Sequence, residues 1–194
     1  NLLAEINPET GISLRKITGS YYTKYPIVNF ICSESLKLYL VNKTGIGYEK
    51  INLLFEDYGF DENKFDLQEI EKLNEYLSIV KILDPACGSG AFPMGILHNI
   101  FDVKMKINEY FMSKNHEKVK NRYELKKEII LNSIYGIDIQ EIAIEISKLR
   151  IFLSLIIDEN VVDEKPNRNI LPLPNLEFKF VCANSLIDLD NATS

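Results

Sequence analysis

The stretch IVKILDPACGSGAFP, residues 79–93, decides how the rest of this chain is read. IVKILD is a short, nearly continuous apolar run that ends in Asp84, the pattern of a strand buried on both faces. Two glycines follow, and Pro93 suits the first position of a helix. Gly88 and Gly90 let a backbone bend tightly and come close to a ligand, because no Cβ stands in the way. A helix starting there aims unpaired N–H groups and the positive end of its dipole at the loop. Such a pocket favours an anionic or nucleotide-like ligand, while the carboxylate of Asp84 argues for one that also carries a cationic group. The spacing narrows this further. A dinucleotide fingerprint would place a third glycine where Pro93 stands, and no G-K-[ST] follows to make a P-loop. On these residues alone, a plain glycine-rich strand-to-helix turn remains the alternative.

Working outward, the spacing predicts a helix from Pro93 to about residue 115, with Ile96, Ile100, Val103 or Lys104, Ile107 and Phe111 on one stripe. ILNSIYGIDI is a second strand candidate ending at Asp138. QEIAIEISKLRIFLSLII predicts a strong helix with Ile142, Ile146, Leu149, Leu153 and Ile156 in register. After a proline-rich loop, LEFKFVCANSL is a third strand with a polar tip at Asn184. Strand, helix, strand, helix, strand implies a parallel sheet with right-handed crossovers. Ligands bind such sheets at the carboxyl ends of the strands, where Asp84, Asp138 and Asn184 all lie. Asp138 suits a ribose diol or a helix N-cap, and Asn184 suits an adenine amino group or a simple turn.

Upstream, Ile27, Phe30, Ile31, Leu36, Leu38 and Leu40 predict an amphipathic helix of about four turns. FDLQEIEKLNEYLS predicts another, capped by Asp66 with Glu69 completing a capping box. Its face is marked by Leu67, Ile70, Leu73 or Asn74, and Leu77. The expected organisation is therefore a helical segment over 1–78 followed by α/β structure over 79–194.

The bulk properties agree with a folded domain. The chain has 194 residues, 46% apolar and 26% charged, enough for a real core. No apolar stretch reaches the roughly 18 residues of a membrane span. Cys32, Cys87 and Cys182 match no metal-ligand spacing, and scattered thiols in odd number fit a reducing cytoplasm. No metal site is expected. Cys87 has no accompanying histidine and reads as a small buried thiol, not a nucleophile. Asn1 in place of Met suggests a piece of a longer protein. The net charge of −6 opposes DNA contact by the chain as a whole, although residues 114–127 hold six Lys or Arg against two Glu. Such a run is usually a solvated helix face.

Here a resemblance becomes specific. ILDPACGSGAFP resembles the cofactor motif of S-adenosyl-methionine-dependent DNA methyltransferases that modify the adenine amino group. YGIDIQEIAIEISKLRIFLSL and FVCANSLID resemble the next two motifs of that family, in order, and RKITGSYYTKYPIVNFI its leading segment. The nearest likeness is to the fused restriction–modification proteins of type IIG. The resemblance implies the first three parallel strands of a Rossmann-like methyltransferase fold, preceded by helices. It implies that Asp84, Ala86 and Gly88 contact the methionine moiety, that Gly90 belongs to the same loop, and that Phe92 closes the pocket. Asp138 would hold the ribose, Ile139 would pack on the adenine, and Asn184 and Ser185 would read the adenine edge. Tyr22 and Thr23 would contact the methionine from above. Double-stranded DNA is the implied substrate of the full protein.

Two departures matter. The family's leading segment carries Y-T-P, whereas here Tyr22-Thr23 is followed by Lys24, with the proline at Pro26. The catalytic N-P-P-[YF] of the family does not occur in the 194 residues, so no catalytic residue is assigned and the chain alone is expected to be inactive. Rival readings are a methyltransferase acting on protein glutamine or RNA, and a binding-only module. A dehydrogenase is disfavoured by Pro93 and Asp84. The strand at 79–84 is expected to leave an apolar sheet edge through which the isolated piece self-associates.

Overall fold

The computed structural model describes residues 23–56, 64–114, 120–159, 164, 166–169, 172 and 174–187. Its helices are α1 (Tyr25–Thr44), α2 (Tyr48–Asn52), α3 (Leu67–Ile79), α4 (Ala91–Ser113), α5 (Arg122–Ser133) and α6 (Glu141–Ile156). Its strands are β1 (Ile82–Asp84), β2 (Ile134–Asp138) and β3 (Phe180–Cys182), and two short 3-10 turns complete the described elements. The strands form one parallel sheet in the order β1-β2-β3, with Asp84 opposite Gly136 and Asp138 opposite Cys182. The expected α/β architecture is therefore present: three parallel strands preceded by helices.

The sheet has one covered and one open face. Ile134, Gly136 and Phe180 are buried and share a face by register, on the side where α4 and α6 pack. Leu83, Tyr135, Ile137 and Val181 share the other, and Leu83 is 57% exposed there. The upstream helices do not stand apart. α1 lies along α4, where Gly95 lets Val28 and Cys32 come close, and one apolar core runs from Val28 through Leu97 and Ile134 to Phe180.

Local signals set several boundaries. Asp66 caps α3 by accepting from Glu69 N at 2.8 Å, while Glu69 Oε2 accepts from Asp66 N at 3.0 Å, the reciprocal box expected from sequence. Asn121 and Glu124 repeat the arrangement at the start of α5. Gly45, with φ of 76°, ends α1 in the left-handed conformation that favours glycine.

Four expectations are corrected. α4 begins at Ala91, so Pro93 is its third residue; like the first, that position needs no intrahelical N–H bond. The first strand is shorter than 79–84, because Ile79 closes α3. The charged stretch from Arg122 onward is not simply solvated, since α5 buries Tyr123, Leu125, Lys126, Ile129 and Ile130. The predicted apolar stripes of α1 and α6 face outward in part. Ile27, Phe30, Ile31 and Leu38 are exposed, as are Ile142, Ile146, Leu149, Leu153 and Ile156. In α6 the core side is instead Ile144, Ser147, Lys148, Ile151, Ser154 and Leu155. Both helices are apolar on two faces, so the periodicity alone did not distinguish which one meets the core.

Candidate functional site

The loop from Pro85 to Gly90 is fixed by its own backbone and by all three strand ends. Asp84 Oδ1 accepts from Ala86 N at 3.1 Å, turning the chain as it leaves β1. Cys87 N donates to Ile137 O at 2.9 Å, and Gly90 N to Cys87 O at 2.9 Å. Gly88 and Gly90 have φ of 51° and 82°, a region that L side chains rarely adopt. Asp138 on β2 reaches across to accept from Gly88 N at 2.7 Å, and its other oxygen accepts from Gln140 N at 2.9 Å. From the end of β3, Ser185 Oγ donates to Pro85 O at 2.9 Å.

Most residues singled out from sequence thus meet at one end of the sheet. Asp84, Ala86, Gly88, Gly90, Asp138 and Ser185 belong to one hydrogen-bonded assembly. Phe92 lies in the first turn of α4, half-buried. Ile139 follows Asp138 and is 64% exposed, an apolar surface beside the loop with little of its own to pack on. Asn184 has a local job: its Oδ1 accepts from Leu186 N at 3.0 Å, the turn-forming role weighed above. Thr23 lies two residues ahead of α1, whose Cys32 thiol reaches Phe92 O at 3.7 Å. Tyr22 lies outside the described residues.

The electrostatics of the loop are unusual in one respect. Asp84 Oδ2 is buried without a hydrogen-bond partner among the described residues. Burial pushes the Asp84 carboxyl above the ordinary carboxylate range, the Ala86 N–H opposes this, and the neighbouring Asp138 adds to it. Nearby, the N-cap position of α4 is Gly90, which has no side chain with which to cap the helix. The loop therefore offers an acceptor that lacks a donor, close to the positive end of a 23-residue helix. A zwitterionic amino-acid end, ammonium and carboxylate together, matches both. Among the described residues nothing lies within 4 Å of where a Cβ on Gly88 would stand, so they leave room beside the loop. Burial, with Asp84 and Asp138 close by, pushes the Cys87 thiol up to about 12, which disfavours the nucleophilic thiolate. Among the described residues no cluster of His, Cys, Asp and Glu suits a metal ion.

The MmeI DNA-methyltransferase domain family matches residues 60–191, which include the loop, all three strands and the helices between them. The chain belongs to that family. Residues of this methyltransferase domain also align with named proteins. A Methanocaldococcus jannaschii protein provisionally named type II restriction enzyme and methyltransferase RM.MjaORFECS2P is 37% identical over 184 residues, covering 89% of this chain and 15% of that protein. The Escherichia coli type II restriction enzyme and methyltransferase RM.Eco57I is 31% identical over 128 residues, covering 62% of this chain and 12% of that protein. DNA methyltransferase A of Bacillus subtilis is 27% identical over 195 residues, covering 94% and 20%. The chain thus spans a fifth or less of the length of these relatives.

Sequence reasoning missed three residues of the methyltransferase loop assembly. Ser147 and Arg150 on α6 donate to the Gly88 and Ser89 carbonyls, each at 2.9 Å. The available signal was a serine in register with Ile144 and Ile151, where packing alone would favour an apolar residue. Gly136 sits beneath the loop, where a Cβ would lie 2.7 Å from the Phe180 ring and 2.9 Å from Cys87 Sγ. Only the sheet register brings those groups together.

Proposed function

We propose that the chain is the S-adenosyl-methionine-binding part of a site-specific DNA methyltransferase acting on the adenine amino group, of the fused type IIG restriction–modification kind. The observation that carries this reading is the buried Oδ2 of Asp84 at the head of the glycine loop, which has no hydrogen-bond partner among the described residues. A buried acceptor without a donor costs free energy, and a bound ammonium group offsets that cost. S-adenosyl-methionine, when bound, supplies a methyl group on a sulfonium centre. The chain's own residues would then divide the work of holding it. Asp84 accepts from the amino group, and Ala86 and Gly88 line the methionine moiety in the loop that Gly90 completes. Phe92, with Tyr22 and Thr23, closes over it. Asp138 retains lone pairs for the ribose hydroxyls beyond the two N–H groups it already accepts. Ile139 packs on the adenine, with Asn184 and Ser185 at its edge.

Because N-P-P-[YF] does not occur in the 194 residues, we assign this chain donor binding without methyl transfer. Presentation of a flipped-out adenine falls to residues outside it. Double-stranded DNA is the substrate of the full-length protein, and the cytoplasm its compartment, where Cys32, Cys87 and Cys182 persist as the free thiols they are here. Among the described residues, no helix is long and apolar enough to cross a membrane.

Calorimetry on the full-length protein tests the assignment. It should bind S-adenosyl-methionine, and Asp138→Ala should weaken that binding at least ~10-fold, through lost ribose contacts and a released Gly88 N–H. Equal affinity in the variant would show that Asp138 does not serve the donor. Methyl transfer to DNA by this chain alone would overturn the division of labour.

A further inference from the structure

We propose that Ser147 and Arg150, one helical turn apart on α6, are positioning residues that hold the glycine loop in its donor-binding conformation. This inference rests on the reading of that loop as the methionine seat.

The loop does not define its own shape. With glycine at 88 and 90, two of its residues have wide conformational freedom, so contacts from outside must select one arrangement. Four such tethers surround Gly88 and Ser89. Cys87 N donates to Ile137 O and Gly88 N to Asp138 Oδ2, which tie the loop to β2. Ser147 Oγ donates to Gly88 O at 2.9 Å, and Arg150 Nη1 to Ser89 O at 2.9 Å, which tie it to α6. The two α6 bonds do something the β2 bonds do not. In a trans peptide the N–H points opposite to the C=O, so drawing the consecutive carbonyls of Gly88 and Ser89 toward α6 turns the Ser89 N–H away from it, while the Gly90 N–H is taken up by Cys87 O. The Gly88 and Ser89 carbonyl oxygens are thereby kept off the ligand side, where they would repel a carboxylate. Ser147 also explains glycine at 90, since a Cβ there would lie 2.9 Å from its Oγ.

Neither residue is needed to keep α6 in place. Ile144, Ile151 and Leu155 are buried on the same helix and anchor it to the core, and Arg150 is exposed. Ser147 is buried, yet its hydroxyl is spent on the loop carbonyl and not within its own helix.

The test uses the full-length protein and S-adenosyl-methionine. Ser147→Ala and Arg150→Ala should each weaken donor binding by calorimetry about three- to tenfold, the value of one hydrogen bond. The KM for the donor should rise while the KM for DNA stays where it is, and Arg150→Lys, which keeps a donor, should recover most of the loss. A purely structural role would instead lower the melting temperature and leave the folded protein binding normally. Wild-type affinity in both alanine variants, or a loss shared equally by DNA and donor, overturns the proposal. If the wild type itself does not bind S-adenosyl-methionine, the reading of the site fails first and this inference with it.

Discussion

Burial raises the Asp84 carboxyl pKa above its ordinary value, and its Oδ2 finds no donor among the described residues. A carboxyl whose native pKa lies above its unfolded value holds its proton more tightly when folded. Its contribution to stability is therefore complete below the unfolded pKa and is lost as pH rises through the native one. At neutral pH the charge opposes folding. Asp84→Asn should thus raise the thermal midpoint at pH 7 while weakening donor binding, and the gain should vanish when the scan is repeated near pH 3. A lower midpoint at pH 7 would show that the carboxylate is satisfied in the native state. Such opposition of stability and binding is expected where a site keeps a strained or unpaired group for its ligand. Gly136 is a second residue whose meaning is spatial. Gly136→Ala forces a methyl into the Phe180 ring and the Cys87 thiol, and overpacking of this kind costs about 1–3 kcal/mol. Urea unfolding would read this as a lower midpoint at unchanged slope. Asp84 and the loop glycines were legible in the sequence because their chemistry depends on near neighbours. Gly136 was not, because its neighbours come from two other segments.

Among the elements, α5 shows best how charge can mislead. Lys126 reads from sequence as a surface cation, yet its side chain is 9% exposed and pairs with Asp158, itself 8% exposed. Lys126 and Arg122 both stack over Phe101, each 4.8 Å from the ring centroid, and both bond Asp158 beyond the end of α6. Burial alone would raise the Asp158 pKa, but the bonds from Lys126 and Arg122 outweigh it and hold the carboxyl below its ordinary value. The stabilisation is present above the unfolded pKa and is lost as pH falls through the depressed native one. Asp158→Ala strands a buried ammonium and should cost about 3 kcal/mol at pH 7, with the difference from wild type shrinking in strong acid. Chemical denaturation at the two pH values measures both. By contrast, the capping box of α3 was fully legible, since Asp66 and Glu69 are three residues apart and need no tertiary partner. Asp66→Ala should cost about 1 kcal/mol.

At the scale of the whole molecule, the described residues leave much apolar surface uncovered. Leu83 and Val181 lie on the open sheet face, β1 is an edge strand, and Ile142, Ile146, Leu149, Leu153 and Ile156 line the outer side of α6. Patches of this kind recruit partners. The isolated 194-residue chain should therefore self-associate at tens of micromolar; a monodisperse monomer in light scattering would refute this. By itself the sequence determined the βαβ alternation, the loop between β1 and α4 and the polar ends of the strands, because each follows from residues within a few positions of one another. The tertiary structure alone decided which face of α1 and α6 meets the core, and that Lys126 is buried. It also decided that Ser147 and Arg150 reach back some 60 residues to the carbonyls of the loop. A helix with apolar residues on two sides satisfies its local periodicity either way, and only packing against the sheet selects one.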